Sequence, residues 1–574
     1  MITIEVNGRS IAANEGETIL DALRREKIKV PTLCHMPDLT PTGACRVCVV
    51  EVEGMRALVP SCAYPVTAGM KIRTHSPRAV RARKTIIELL LTNHPDDCLY
   101  CVRNLNCKLQ ALAEELGVRQ RRYIGLKSQR RLDMSNLSVV RDPEKCILCG
   151  KCIRVCEEVQ GVAAIDFAGR SCNAYVATTF DQGLNLSSCI NCGQCIMTCP
   201  TGALREQSNI KEVVNALKDP RKTVVVQHAP SVSVTIAEEF GLPAGSDVAG
   251  ILNAALRRLG FAYVFDTSFS ADLTIMEEAT ELAQRISGGG VLPMFTSCSP
   301  GWVKFVEQFY PDFIPNLSSC KSPQQMLGAV IKTYFAEQEK VAPADIFSVS
   351  VMPCTAKKFE AGRAEQEHDD AVDIDAVLTV RELVRMIKMN GIDFKSLEPE
   401  FADSPFGTRS TAGKLFGGSG GVMEAALRTA HFLLMGGKEL KAPALKEIRG
   451  FAGIKELKVK IGDREVGVAV ASGLGNARKL LEQLRAGRSD LHFIEVMTCP
   501  GGCINGGGQP IGVKPEAVRA RLQALYELDQ KEALRVSHNN PELQRLYAQY
   551  LGAPGGDKAH HLLHTTYHRR DTVH

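Results

Sequence analysis

CILCGKCIRVC (146–156) is answered by CINCGQCIMTCP (189–200), and this repeat decides how the middle of the chain must fold. Both copies place cysteine at offsets 0, 3, 6 and 10, and Pro200 follows the second. A C-x₂-C-x₂-C-x₃-C-P run holds two 4Fe-4S cubes: three thiolates wrap a face of one, and the fourth crosses to the other. The expected ligand sets are Cys146, Cys149, Cys152 and Cys199 for one cluster, and Cys189, Cys192, Cys195 and Cys156 for the other. A structural zinc takes four ligands and leaves the doubled run unexplained.

Toward the N-terminus, Cys34, Cys45, Cys48 and Cys62 read C-x₁₀-C-x₂-C-x₁₃-C among short β-type runs: ITIEV, KVPTLC, RVCVVEVEG, ALVPSC and MKIRTH. The plant-type 2Fe-2S spacing shares the central C-x₂-C, and strand–loop–strand is its setting, so a β-grasp 2Fe-2S domain is expected over 1–77. ETILDALRREK reads as its helix. Between the two groups, His94, Cys98, Cys101 and Cys107 read H-x₃-C-x₂-C-x₅-C, bracketed by the helical runs VRARKTIIELLLTNH and CKLQALAEELG. Three cysteines and a histidine could hold zinc. Lying between iron–sulfur units, they are expected to hold another electron-transfer 4Fe-4S cluster in a domain over 78–138. A neutral His94 ligand would make that cluster less negative and raise its potential. The doubled run then belongs to an α+β ferredoxin-like domain over 139–208.

From 209 to 574, β-type runs (TVVVQHAP, DIFSVSVMPC, REVGVAVAS, LHFIEVMTC) alternate with helical ones (DVAGILNAALRRLG, TIMEEATELAQRI, GVMEAALRTAHFLL), the signature of an α/β domain. The chain's 574 residues suffice for about four domains. A net charge of +5 over that length gives no basic face for nucleic acid, and no apolar run is long enough to span a membrane. The start, MITIEVNGRSIAANEG, has no export-signal character, which places the 21 cysteines in a reducing, cytoplasmic compartment where dense cysteine means metal. The tail DKAHHLLHTTYHRRDTVH reads as a solvated terminus.

Cys298, Cys354, Cys499 and Cys503 remain in motif-like settings, far apart in sequence. Cys499 and Cys503 bracket P-G-G, and the INGGGQP that follows would let backbone approach a bulky inorganic group. FTSCSPGW (295–302), MPCTAKKFE (352–360) and EVMTCPGGCINGGGQP (495–510) resemble the three signature segments of the iron-only (FeFe) hydrogenases. APSV (229–232), DIDAV (373–377) and GGVMEAALR (420–428) extend the resemblance, and TGACRVCVVEVEG resembles the 2Fe-2S domain of respiratory complex I.

The resemblance implies an H-cluster: a 4Fe-4S cube joined through a cysteine sulfur to a diiron unit with CO, cyanide and azadithiolate ligands. By it Cys503 is the bridging cysteine, beside Cys354 and Cys499. Lys357 donates to a cyanide, and Pro230, Ser231, Gln324 and Met497 line the pocket. Glu278 and Glu281, at i and i+3 on one helical face, match the proton path, with Ser318 and Arg285 near its outer end. The family's first signature carries two cysteines, one relaying the proton and one ligating the cube; here the second is Ser299. Spacing from Glu278 keeps Cys298 as the relay. Ligand chemistry argues otherwise, because a hydroxyl is far less acidic than a thiol of pKa about 8.5. The expectation here is Cys298 as ligand and Ser299 near the relay. Cys172 and Cys320 are left as ordinary structural thiols.

By resemblance the chain handles H₂ and protons. Its T-S-C-S-P form and complex-I-like start imply partner subunits that carry flavin and NAD(P), with ferredoxin, besides maturation proteins. A stand-alone ferredoxin-dependent enzyme, and a non-catalytic hydrogen sensor or iron–sulfur assembly protein of the same fold, are the alternatives. GVAVASGLGNARKLLEQL (467–484) looks faintly like a dinucleotide-binding start but lacks the third glycine and the acidic residue. GGSGG (417–421) reads as a tight turn.

Overall fold

The computed structural model describes residues 1–571 other than 121, 126, 128–129, 369–370, 441 and 463. The N-terminal sheet runs Arg9–Ala13, Ile2–Val6, Lys71–Arg73, Val49–Val52, Val59–Pro60. Asn7 (φ 51°) and Gly8 (φ 80°) form the two-residue turn of its first hairpin, whose left-handed backbone matches strand twist. Ile2–Val6 also pairs parallel with Lys71–Arg73. The Ile19–Arg25 helix, capped by the Thr18 hydroxyl, buries Ile19, Leu20, Ala22 and Leu23 on this sheet. KVPTLC forms no strand; its residues are a loop that carries Cys34 into the buried end of the domain. The helices Pro77–Asn93 and Lys108–Glu115 follow, the first started by Ser76 as cap with proline next.

The cysteine repeat is also a repeat of backbone. Gly150 and Gly193 both sit at φ 67°, ψ 7°, each opening a short helix. Two residues before each, Leu148 (φ 55°) and Asn191 (φ 62°) are likewise left-handed, and their amides point at Cys146 and Cys189 Sγ, both at 3.4 Å. These turns curl each C-x₂-C-x₂-C around a point. Two antiparallel strand pairs, Val139–Arg141 with Leu204–Glu206 and Asp166–Ala168 with Tyr175–Ala177, complete the unit.

Two four-stranded sheets build the C-terminal part. In the first, Tyr263–Asp266, Thr223–His228, Ile346–Met352 and Ala376–Thr379 are all parallel. In the second, Met294–Phe295, Phe493–Met497 and Arg464–Ser472 are parallel, and Ile454–Ile461 closes the edge antiparallel. Parallel strands covered by helices are apolar throughout, which is why TVVVQH, IFSVSVM and FIEVM read as unbroken runs. Helix Thr267–Gly288 shares cores with both sheets, and Gly421–Leu434 packs on that helix and on the second sheet. The last residue of strand Thr223–His228 leads to Pro230, that of Met294–Phe295 to Cys298, that of Ile346–Met352 to Cys354, and that of Phe493–Met497 to Cys499. Ligand sites of open α/β sheets lie just past such strand ends.

The tail is not solvated as expected. Asp557–Leu563 is a helix whose Ala559, Leu562 and Leu563 join a core with Phe265, Phe269 and Leu327. Backbone bonds tie it down: Lys321 N–H donates to Leu563, and Thr565 N–H to Ser319. Apolar spacing hidden among the histidines of AHHLLH is what buries it.

Candidate active site and its cluster chain

Cys298, Ser299, Lys357, Cys354, Cys499 and Cys503 all line one cavity past the strand ends. Pro230, Ser231, Gln324 and Met497 line it too. So does Cys192 of the ferredoxin-like unit, so that unit forms part of the wall. The glycines of INGGGQP make this junction. A Cβ on Gly507 would lie 2.2 Å from the Cys192 carbonyl oxygen, and one on Gly506 2.2 Å from that of Pro353. Backbone thus packs on backbone at these glycines, and Gly506 also lines the cavity. Thr355 Oγ1 donates to the Asn191 carbonyl (2.7 Å) and Gln194 to that of Asn505 (3.1 Å) across the same seam.

Lys357 lies on the Ala356–Ala361 helix, one turn past Cys354. Its Nζ donates to Glu360 Oε2 (2.8 Å) and to the Cys298 carbonyl (3.2 Å). Glu360 was not singled out from sequence, yet it also accepts from Ser322 (2.8 Å) and Gln324 (3.1 Å). It fixes two cavity side chains, Lys357 and Gln324, together with Ser322, and its i+3 spacing from Lys357 was the available signal. Gln509 was missed as well; its amide holds the Cys503 carbonyl at 2.9 Å.

Glu278 is fully buried and neither carboxyl oxygen has a hydrogen-bond partner among the described residues. Burial pushes its pKa well above the carboxylate range, Glu281 adds to the rise, and the Ser297 amide only opposes it. One turn on, Glu281 accepts from Ser318 Oγ (2.7 Å), Arg285 Nη2 (2.6 Å) and the Ser319 amide (3.2 Å). Glu281, Ser318 and Arg285 thus meet, part-exposed at Glu281 and Arg285, while Glu278 is within electrostatic reach of Glu281 and bonded to none of them.

Burial raises the Cys298 thiol, and the charges acting most on it are Glu278 and then Lys357. Ser299 stands at the N-cap of the Pro300–Phe309 helix but makes no cap bond; its hydroxyl instead pairs with Thr498 Oγ1 at 2.8 Å, beside Cys499. Both residues line the cavity; Cys298 lies in the field of Glu278 and Lys357, and Ser299 is bonded to Thr498 beside Cys499.

The other groups assemble in turn. One cavity is lined by Cys146, Cys149, Cys152 and Cys199, a second by Cys156, Cys189, Cys192 and Cys195. Burial pushes the Cys146 and Cys156 thiols up to about 12 and Cys149 to about 11, so each cavity resists thiolate until a cation offsets it, as a ferric cluster would. Cys34 interacts with Cys45 and Cys62, and Cys62 with Cys48, so the four thiols gather in one group. His94 is buried with Nδ1 lacking a partner among the described residues, an orphan that a metal would satisfy. Cys98, Cys101 and Cys107 lie near one another.

These sites form a forked chain. Cys34 acts electrostatically on Cys149. Buried Arg103 sits among Cys101, Cys107 and Cys199, and a Cβ on Gly202 would lie 2.6 Å from Cys101 Sγ. Both N-terminal sites thus converge on the Cys146/Cys149/Cys152/Cys199 cavity. From there Cys152 neighbours Cys195, and Cys192 neighbours Cys499 of the catalytic cavity.

Cys320 is fully buried in a hydrophobic core, with its Sγ 3.7 Å from Glu281 Oε2. Cys172 is exposed. In GVAVASGLGNARKLLEQL, Gly475 lies against the Val159 carbonyl, 3.0 Å from where its Cβ would stand, so this turn docks the ferredoxin-like unit. GGSGG is the tight turn expected: a Cβ on Gly421 would fall 1.7 Å from the Leu415 carbonyl oxygen.

Models of known families match along the chain: a 2Fe-2S iron–sulfur cluster binding domain at 1–77, the NADH-ubiquinone oxidoreductase-G iron–sulfur binding region at 83–122, and a 4Fe-4S dicluster domain at 145–203. The C-terminal domain of the iron only hydrogenase large subunit matches 222–507, and the iron hydrogenase small subunit matches 515–570. The NADP-reducing hydrogenase subunit HndD of Solidesulfovibrio fructosivorans is 47% identical over 586 aligned positions, covering 100% of both chains. Cytosolic iron-sulfur assembly component 3 of Bos taurus is 33% identical, over 67% of this chain and 84% of that one. The structure of apo [FeFe]-hydrogenase HydA1 from Chlamydomonas reinhardtii is 44% identical, with a TM-score of 0.58 over 63% of this chain and 99% of that chain. With likeness running the full length and the cavity built from all three signature segments, the chain belongs to the iron-only hydrogenases, oxidoreductases that act on hydrogen, and carries 2Fe-2S- and 4Fe-4S-binding domains ahead of its hydrogenase domain.

Proposed function

We propose that the chain catalyses 2 H⁺ + 2 e⁻ ⇌ H₂ as the hydrogen-handling subunit of a multimeric, NAD(P)-linked, cytoplasmic hydrogenase. One observation carries this. The cavity receives a cysteine-lined chain on one wall, through Cys192, and a buried carboxyl relay on another, through Glu278 and Cys298. When bound, the H-cluster supplies the iron at which protons and electrons combine.

The residues would do the rest. Cys354, Cys499 and Cys503 hold the cube, with Cys503 at the bridge and Ser299 beside Thr498 at the remaining corner. Lys357, locked by Glu360, presents an ammonium to an anionic ligand in a dry pocket, where a charge-assisted donor is worth most. Protons enter at Arg285 and Glu281, cross by Ser318 to Glu278, and reach the Cys298 thiol. Glu278 is held protonated by burial, so it can donate inward and refill from Glu281. Cys34, Cys45, Cys48 and Cys62 would hold one 2Fe-2S cluster, and His94, Cys98, Cys101 and Cys107 the first of three 4Fe-4S clusters, which together would supply the electron-transfer chemistry. The units we assign are 1–77, 78–138, 139–208 and 209–574.

Partner subunits are supported by the likeness to HndD, whose name makes it a subunit of an NADP-reducing enzyme. They are also supported by bare apolar side chains at the His94 site: Leu99, Tyr100 and Leu105 are 85%, 89% and 92% exposed. Such a patch marks a contact surface. Among the described residues no helix is long and apolar enough to cross a membrane. Native mass spectrometry of the enzyme purified from its source tests the assembly. Co-purified flavin- and NAD(P)-binding subunits are expected; a lone chain reduced by ferredoxin would overturn it. Retention of Lys357, Cys503 and the relay favours catalysis over an assembly or sensing role. Infrared bands of CO and cyanide are expected in the matured protein, and their absence would favour the non-catalytic reading.

A further inference from the structure

Where the relay meets the C-terminal tail, three side chains from distant segments converge. Glu281 comes from the Thr267–Gly288 helix, Cys320 from a loop, and His564 from just past the Asp557–Leu563 helix. An antiparallel backbone bridge clamps Cys320 against His564. One ligating atom from each lies within 4.8 Å of the others. We propose that Glu281, Cys320 and His564 form a site for one divalent cation of the zinc class, and that filling it closes the outer end of the proton relay.

The geometry suits such an ion. Zinc bonds sulfur at about 2.3 Å and carboxylate oxygen at about 2.0 Å, so a tetrahedral site separates the two by about 3.5 Å. Cys320 Sγ and Glu281 Oε2 are 3.7 Å apart. The donor set of thiolate, imidazole and carboxylate selects zinc over magnesium or calcium, which take oxygen alone. Water would complete the tetrahedron.

The imidazole is already braced as a metal-binding histidine is. Both ring nitrogens of His564 are hydrogen-bonded, Nε2 with Glu277 Oε2 at 3.1 Å and Nδ1 with Ser319 Oγ at 2.8 Å, so a cation on Nδ1 would displace the serine hydroxyl. A carboxylate behind the ring fixes its tautomer and strengthens the opposite nitrogen as a donor to metal. Glu277 is itself held by the Tyr547 hydroxyl and the Gly555 amide. On binding, the Cys320 thiol releases its proton to solvent, and the thiolate and Glu281 carboxylate neutralise the dication. Arg285, 2.6 Å from Glu281 Oε1, opposes the metal and would keep the site reversible.

The consequence for turnover rests on the relay reading above; the binding does not. Glu281 Oε2 accepts the Ser318 hydroxyl. A cation on that oxygen would occupy the lone pair the proton needs.

The test uses anaerobic, fully matured enzyme incubated with Zn²⁺, desalted, and analysed for metal by mass spectrometry alongside hydrogen production. Wild type should retain one zinc more than Cys320→Ala and His564→Gln do. Its turnover should fall tenfold or more in step with that zinc and return with chelator, while the CO and cyanide bands stay put. Cys320→Ser, which keeps a small polar side chain, replaces the alanine variant if that one misfolds. Equal zinc in wild type and all variants would overturn the site. Retained zinc with undiminished turnover would leave the site standing and overturn the relay reading.

Discussion

Ser299 and Cys298 are neighbours in sequence with separate surroundings. Ser299 gives up a helix-cap bond for Thr498, whereas Cys298 lies under Glu278 and Lys357. Cys298→Ala should therefore keep the CO and cyanide bands and the cube's paramagnetic signal while abolishing turnover. Loss of the cube signal would return the ligand role to Cys298. Glu278→Gln should likewise stop turnover with the infrared spectrum intact. It should also stabilise the fold in a pH-dependent way. A carboxyl with a raised folded pKa favours folding below the unfolded value, about 4.3, and that advantage drains as pH rises toward the folded pKa. The amide has no such dependence. The thermal midpoint of the variant should therefore exceed wild type by a margin widening from pH 5 upward; a constant margin would contradict a buried neutral Glu278. The cluster cysteines were legible because their spacing is local. Glu360, Gln509, Cys320 and His564 were not, since their roles come from segments that only the fold joins.

At the scale of elements, glycine runs carry the seams. Gly507→Ala sets a methyl carbon 2.2 Å from the Cys192 carbonyl, where backbone must move on one side. We expect slower intramolecular electron delivery, seen as hydrogen production falling more than tenfold, with each cluster's own spectrum retained. Unchanged activity would mean the seam tolerates opening. The sequence displayed this run plainly but not its neighbour: a glycine signals close approach without saying of what. The strands were legible for a firmer reason, because parallel strands buried on both faces leave unbroken apolar runs, whereas KVPTLC looks extended and is a ligand loop. The tail misled because its histidines outweigh its leucines in composition although the leucines set its position. Leu563→Ala should cost about 2–5 kcal/mol of stability, checked by denaturant unfolding of the apoprotein.

Across the whole molecule, the two N-terminal sites converge on the Cys146/Cys149/Cys152/Cys199 cavity before the path continues to Cys192 and Cys499. Cys48→Ala should spare hydrogen production from a small artificial donor and weaken exchange with the physiological partner. Cys149→Ala, at the junction, should depress both, and equal loss from the two variants would refute the fork. The order of the modules is plain in the sequence, but their branching is not, because it depends on Arg103 and Gly202 bringing the His94 site beside Cys199. The tail adds a dimension of time. Ribosomes release a chain from its N-terminus, so every ligand cysteine has emerged before Leu563 and His564 are made. The Cys320 wall gains its backing, and the relay its outer lining, only once the residues from Asp557 onward are in place. A nascent chain halted before Asp557 would hold every one of these cysteines while Cys320 and Ser319 still lacked the backing of His564 and Thr565.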